Sequence, residues 1–388
     1  MSGIVLSASV RQNLLSLQST ADLLATTQNR LSTGRKVNSA LDNPTNYFTA
    51  QGLDNRANDI SNLLDGIGNG VQVLQAANTG LTSLQSLVDT AKSIANQVLQ
   101  TTVGYTPRST VSSAAALGGT AANLVDGVTI KSGDVLAIAA TGGGTATSIT
   151  FTANESLAQL NTALAANNLT ASLDSANKLV ITTTNDAASS TIGAVTYTNT
   201  GGGTVTFGAV GAPVADPASQ AIRASLVAQY NNIITQISTT AQDSSFNGIN
   251  LLNGDTLKLT FNETGKSTLN ITGVTYNAAG LGLAPLVAGT DFLDNNSANA
   301  TLAKISAASS ALRTEASSLG SNLSVVQIRQ DFSKNLINVL QTGSSNLTLA
   351  DTNQEAANSQ ALSTRQSIAV SALALANQSQ ASVLQLLR

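Results

Sequence analysis

The chain contains neither cysteine nor histidine. Without cysteine there is no disulfide framework. Without either residue there is no Cys- or His-based metal centre and no Ser/His or Cys/His nucleophile–base pair. Tryptophan is missing too, and aromatic residues make up only 3% of the chain. The Tyr and Phe are too scattered to stack nucleic-acid bases, so they read as core. Charged residues make up 10%, against roughly 25% in ordinary soluble domains. A surface so poor in charge suits faces that are covered by other protein. No Lys/Arg cluster stands out, so no nucleic-acid partner is expected. No run approaches the ~18 apolar residues of a membrane span, so no membrane partner is expected either. Residues 1–6 lack the basic and apolar regions of a cleavable secretory signal. No cofactor is expected. Gly142-Gly143-Gly144-Thr145 lacks the lysine of a phosphate-binding loop and reads as a loop between strands.

What is present is aliphatic. Hydrophobic residues supply 42% of 388 positions, mostly as Leu, Ile, Val and Ala, the composition of helix-on-helix packing. The net charge of −3 is carried entirely by residues 104–217, where Arg108, Lys131 and Lys178 face Asp126, Asp134, Glu155, Asp174, Asp186 and Asp216. The neutral flanks reduce self-repulsion when copies pack side by side.

The flanks read as helix. Val10, Leu14, Leu17, Ala21, Leu24 and Leu31 form an apolar seam with Gln28 as its polar member, ended by Gly34. Asp42 and Asn43 sit at a helix start, with Pro44 in its first turn. From there Ile60, Ile67, Leu74, Leu81, Val88 and Ala95 recur every seven residues. Leu63, Gly70, Ala77, Leu84, Ala91 and Val98 recur three positions later, which predicts a coiled-coil-like rod to about Gln100. Beyond the middle zone, a helix over 218–243 carries Ile222, Leu226, Tyr230, Ile233 and Ile237 on its apolar face. A hairpin follows, with Leu257, Leu259 and Phe261 before its turn and Leu269 and Ile271 after it. A long helix over 298–341 carries Leu302, Ile305, Leu312, Leu319, Leu323 and Val326. The last helix runs from Asp351, with Ala369, Ala372, Ala376, Ser379, Val383 and Leu386 as its seam.

The middle zone is rich in Thr, Gly, Ala and Ser. Residues 134–138, 147–151, 169–173 and 178–182 alternate as strands, and 156–167 reads as a short helix. The result is a small β-β-α-β-β module. Its Ser and Thr read as solvated strand surface, with O-linked glycans as the sharper alternative.

Both terminal helices are amphipathic. Burying one leucine is worth about 1.5–3 kcal/mol, and two helices without further packing are marginal. The ends are therefore expected to pair with each other and with neighbouring copies. A head-to-tail interface of that kind does not close and grows into a helical polymer.

Four segments carry a family likeness. Residues 31–44 (Leu31-Ser32-Thr33-Gly34-Arg35 through Asn43-Pro44) resemble the segment of bacterial flagellin that joins its first two helices. Phe246-Asn247-Gly248-Ile249-Asn250-Leu251-Leu252, Gly280-Leu281-Gly282-Leu283 and the terminal 383–388 are similar to three more, in the same order. The resemblance covers about 1–103 and 218–388. It implies a mainly α fold, a long coiled-coil-like helical bundle formed by both chain ends, with a β-hairpin and an inserted α+β outer domain. The expected parts are 1–35 and 351–388 as an inner-tube helical domain, 36–103 and 218–350 as a rod domain, and 104–217 as an outer surface domain. The insert precedes the Ala218 helix, whereas many flagellins place theirs after the hairpin.

The family further implies a non-enzymatic subunit of the extracellular flagellar filament. Its expected partners are other flagellin subunits, the flagellar export apparatus, a flagellin chaperone on 351–388, the filament cap and the hook–filament junction proteins. Expected subunit-interface residues are Val10, Leu14, Leu17, Leu24, Leu31, Val383, Leu384 and Leu387 in the inner tube. Ile60, Ile67, Leu74, Leu81 and Leu312 are expected in the rod layer. Flagellins recognised by the mammalian innate receptor resemble Leu-Gln-Arg-Val-Arg-Glu-Leu on the long helix. Here the matching stretch is Val88-Asp89-Thr90-Ala91-Lys92-Ser93-Ile94, with Thr90 in place of an Arg able to make bidentate contacts, so weak or absent receptor activation is expected. A hook–filament junction protein and an adhesin displaying 104–217 are the alternatives.

Overall fold

The computed structural model describes residues 8–386, and only the backbone of residues 380 and 383–386. Six helices dominate. Helix α1 spans Ala8–Thr33, α2 Pro44–Gln100, α4 Pro217–Asp243, α5 Asn295–Thr348 and α6 Thr352–Leu386, while the short α3 (Leu157–Ala165) lies in the middle zone. Their limits follow local chemistry. Gly34 adopts φ +69°, a left-handed stop that costs glycine little. The Asn43 side chain accepts the Asn46 N–H at 3.0 Å, capping α2 just ahead of Pro44. The Asp351 carboxylate accepts the N–H groups of Asn353 and Gln354 and starts α6.

The chain divides into two compact units. The first comprises residues 1–69, 258–269 and 325–388. In it α1 and α6 pack antiparallel, and the links flanking them are joined: Ala350 N–H donates to Gly34 at 3.0 Å and Lys36 N–H to Thr348 at 2.8 Å. The tip of the hairpin formed by β7 (Thr256–Thr260) and β8 (Thr268–Thr272) also belongs here. Arg56 pairs with Glu263 at 2.7 Å, and the Arg329 guanidinium lies over the Phe261 ring.

The second unit comprises residues 70–257 and 270–324. It holds the middle zone, where the four expected strands appear as β2 (Val135–Ile138), β3 (Thr147–Thr150), β4 (Leu169–Leu173) and β5 (Leu179–Thr183). Two further strands, β1 (Thr110–Ser112) and β6 (Val195–Thr198), complete two antiparallel three-stranded sheets, β1-β5-β4 and β3-β2-β6. The expected module is thus split between two sheets. Leu136, Ile149, Phe151, Leu160, Leu164, Leu179 and Ile181 fill a common core with α3. The module's entry and exit are tied together, with Asp216 N–H donating to Gly104 at 2.8 Å and Thr106 N–H to Val214 at 2.9 Å. Its base is held against the start of α5, where Asn296 donates to Gly142 and Ser189 to Asp294.

Two carboxylates organise the module's loops. Buried Asp134 accepts the N–H groups of Lys131 and Gly201 and the Tyr197 hydroxyl. Asp126 accepts the N–H groups of Val128, Thr129 and Ile130 together with the Thr129 hydroxyl. Partial burial pushes the Asp126 carboxyl up, but those four donors outweigh it and hold its pKa at about 2. A folded-state pKa below the ordinary ~3.9 contributes stability that is complete above about pH 5 and is lost as pH falls through ~4 towards ~2. We expect hydrogen-exchange protection of the 110–198 strands to weaken over that window by about 1–2 kcal/mol. In Asp126→Asn this step should be absent and protection at pH 7 already lower. An unchanged acid profile in the variant would refute the assignment.

Candidate assembly interface

The rod seam read from the heptads is satisfied inside the chain. Ile60, Ile67, Leu74, Leu81 and Leu312 are all buried. Ile60 packs with Ala57 and Leu340, flanked by Leu53, Leu336 and Ile337. These five side chains, expected at a subunit interface, are core of the single chain, because a heptad seam takes whichever helix reaches it first.

Helix α1 divides its apolar residues between two roles. Val10, Thr20 and Thr27 are buried, and Asn13, Leu17 and Leu24 are half-buried. Together they make an unbroken three–four spacing along the face towards α6. The matching line on α6 is Glu355, Ser359, Leu362, Gln366, Ala369, Leu373 and Ala376, again three and four apart. This seam corrects the expected ones on both helices. Leu14 and Leu31 lie outside it on α1, and Ala372 and Ser379 are exposed on α6. Threonine and alanine at the contact let the two backbones approach, and the polar members are tolerated because the pair is not sealed from water. Arg30 closes the lower end of the seam by pairing with Glu355 at 3.4 Å. The side chains of Val383 and Leu384, and all of Leu387, lie outside the described residues.

Apolar surface is left over, and it is concentrated. Among the described residues, fourteen of the twenty exposed large apolar side chains belong to the first unit, although that unit is the smaller. On α1 they are Leu14, Leu15, Leu23 and Leu31, with Leu15 66% exposed. On α6 they are Ile368, Val370 and Leu375. On α5, Val325, Ile328, Phe332 and Val339 stand out of the bundle. Leu15, Leu23, Ile328 and Phe332 escaped sequence reasoning because each falls beside a stronger seam. The signal that finds them is the second apolar stripe that remains once the unbroken three–four seam has been assigned. The unit therefore has two apolar surfaces, one spent on its own partner helix and one wet.

Residues 5–117 match the bacterial flagellin N-terminal helical region, and residues 302–387 match the bacterial flagellin C-terminal helical region, together just over half of the chain. The chain belongs to the bacterial flagellin family. It is 33% identical over 165 residues to Flagellin FljM of Caulobacter vibrioides, and 32% and 31% identical over the same length to Flagellin FljK and Flagellin FljO of that organism. Each alignment spans 42% of this chain and 59% of the relative, so the chain spans about three fifths of the length of the curated relatives it matches. The flagellin regions cover α1, α2, α6 and most of α5, and so include the three helices, α1, α5 and α6, that carry the surplus apolar surface.

Proposed function

We propose that this flagellin-family chain is a structural, non-enzymatic subunit that polymerises into the extracellular bacterial flagellar filament and serves swimming motility. The observation that carries the reading is the concentration of wet apolar surface on α1, α6 and the distal half of α5. Leaving several leucines exposed costs about 1.5–3 kcal/mol each, and identical neighbours remove that cost without any new sequence. In this reading 1–35 and 351–388 form the inner tube, 36–103 and 218–350 the rod layer, and 104–217 the outer surface domain. Val10, Leu17 and Leu24 hold the inner-tube pair together, while Leu14 and Leu31, with Val383, Leu384 and Leu387, face neighbours. Long helices whose heptad seams are internally filled are stiff, which suits the transmission of torque.

The same reading includes export through the flagellar apparatus, a chaperone covering 351–388 beforehand, and contact with the cap and hook–filament junction proteins. Among the described residues no helix is long and apolar enough to cross a membrane. The test is seeded growth. Purified chain mixed with sheared filament fragments of a relative should elongate them, as seen by electron microscopy. A chain that stays monomeric under conditions that work for its relatives would remove the proposal.

Recognition by the mammalian innate receptor is expected to be weak. Thr90 is exposed on α2, and its hydroxyl donates to the Ser86 carbonyl at 2.9 Å, leaving a short side chain with no cationic fork to offer. Monomer of the wild-type sequence should activate reporter cells at least tenfold more weakly than a flagellin with Arg there, and Thr90→Arg should recover part of the signal. Full potency of the wild-type monomer would contradict this.

A further inference from the structure

The insert over 104–217 leaves α2 and returns to α4 through a stem of two short segments. Residues 104–107 pair with 214–216, where Val214 N–H donates to Pro107 at 2.9 Å and Asp216 N–H to Gly104 at 2.8 Å. A two-stranded ribbon twists and bends easily, because neither edge has a further strand to hold it. The hydrophobic core of the insert lies wholly within residues 111–210, so it gives no grip on the helices. The ribbon alone would leave a hinge.

A further attachment lies outside the ribbon. Buried Asp294 uses one carboxylate oxygen to accept the Ser297 N–H at 3.0 Å, which caps the first turn of α5. Its other oxygen accepts the Ser189 hydroxyl of the insert at 2.6 Å. Two residues on, the Asn296 amide donates to the Gly142 carbonyl of the insert at 2.8 Å. The two insert segments that make these bonds form one stiff pad. Gly142 adopts φ +53°, and a Cβ there would collide with Ala187. Thr141 N–H donates to the buried Asn167 side chain at 2.8 Å, and the Asn168 amide donates to the Thr141 and Gly142 carbonyls at 3.3 and 3.2 Å. Arg223, which grips the end of α2, lies near Asp294 and supplies a counter-charge.

We propose that Asp294, with Asn296, is a positioning lock that holds the insert at one fixed angle on the start of α5. The carboxylate spans two elements with its two oxygens, so the grip on the insert and the first turn of α5 are one unit. Held at the ribbon and at the pad, the insert cannot swing about either. A force on the insert then passes to α5 directly and does not bend the ribbon. These bonds lie within a single chain, so the lock stands or falls independently of filament growth.

The chain lacks cysteine, so a labelled pair can be placed without competing thiols. Val128 on the insert and Ser93 on α2 are exposed, and Val128→Cys with Ser93→Cys carries two nitroxide labels. Full-length labelled monomer is diluted with unlabelled chain, and the distance between the labels is read by pulsed electron paramagnetic resonance. A single narrow distribution is expected. Ser189→Ala with Asn296→Ala cuts both ties and leaves the Asp294 cap on Ser297 in place. It should about double the width of the distribution, with unchanged hydrogen-exchange protection of the 110–198 strands. Ser189→Thr, which keeps the hydroxyl, should leave the width as it was. A broad distribution before any tie is cut, or one that stays narrow after both are cut, would overturn the lock. So would loss of strand protection in the double variant, which would make the two bonds part of the insert's own fold.

Discussion

Replacing Leu15 and Leu23 together with serine is expected to abolish seeded filament growth while leaving the monomer's helix content unchanged. Both leucines point away from the seam that joins α1 to α6, so the pair keeps Val10, Leu17, Leu24 and the two buried threonines. In a monomer the substitutions exchange wet leucine for wet serine, a change of at most a few tenths of a kcal/mol. In a filament every subunit would lose two buried leucines, roughly 3–6 kcal/mol, or about a hundredfold to ten-thousandfold in critical concentration. The comparison separates assembly from folding. Light scattering after seeding reads the first and far-ultraviolet circular dichroism the second. The companion change Leu17→Ser strikes the intramolecular seam, and it should lower helix content as well as growth. Wild-type growth by the Leu15/Leu23 double variant would mean that the exposed stripe of α1 is not an assembly surface.

The largest loss of monomer stability is expected from Arg223→Ala. Arg223 is 1% exposed, on the inner face of α4. Its guanidinium donates to the carbonyls of Thr102 at 3.0 Å, Phe292 at 2.7 Å, Val98 at 3.2 Å and Thr101 at 3.3 Å. Three of these carbonyls end α2 or follow it directly, where the last turn of a helix has acceptors without donors and a negative partial charge. Burial pulls the Arg223 pKa down, and the nearby Asp294 carboxylate opposes that pull, so the cation persists. Truncation removes the donor fork, leaves the carbonyl of buried Phe292 without its Arg223 donor and opens a cavity beside the end of α2. A cost of about 3–5 kcal/mol follows from the buried-charge and unsatisfied-acceptor terms, and in a unit of this size that is roughly 8–15 °C in melting temperature. Arg223→Lys should recover only part, since an ammonium cannot span the same four oxygens. A variant melting within a degree of wild type would show that water fills the site without penalty.

Arg223 also marks where sequence reasoning turned α4 the wrong way. Ile222 was expected inside, yet it is exposed, and the buried face runs Arg223, Leu226, Val227, Tyr230, Ile234, Ile237 and Ala241. Hydropathy alone ranks isoleucine inward and arginine outward. The carbonyls at the end of α2 that the guanidinium reaches reverse that order, and they belong to residues more than a hundred positions away. The hairpin, by contrast, was legible from its alternation and turn, and β2 to β5 from short alternating runs. Strands β1 and β6 were missed because three or four residues of Thr, Val, Ser and Tyr carry little local signal. Their pairing partners, β5 and β2, are what make them strands.

Seven-residue recurrence, glycine stops, and Asn or Asp caps settled where the helices run and where they break, because backbone torsion and capping act over a few residues. The same local pattern established that more apolar surface exists than one helix pair can cover. It left open which residues meet within the chain. On α1 both Leu14 and Leu17 fit a seam, and the helix can bury only one arc against α6. That choice was made by the arc on which α6 packs, which buries Thr20 and Thr27, a property of the packed pair and of neither helix alone.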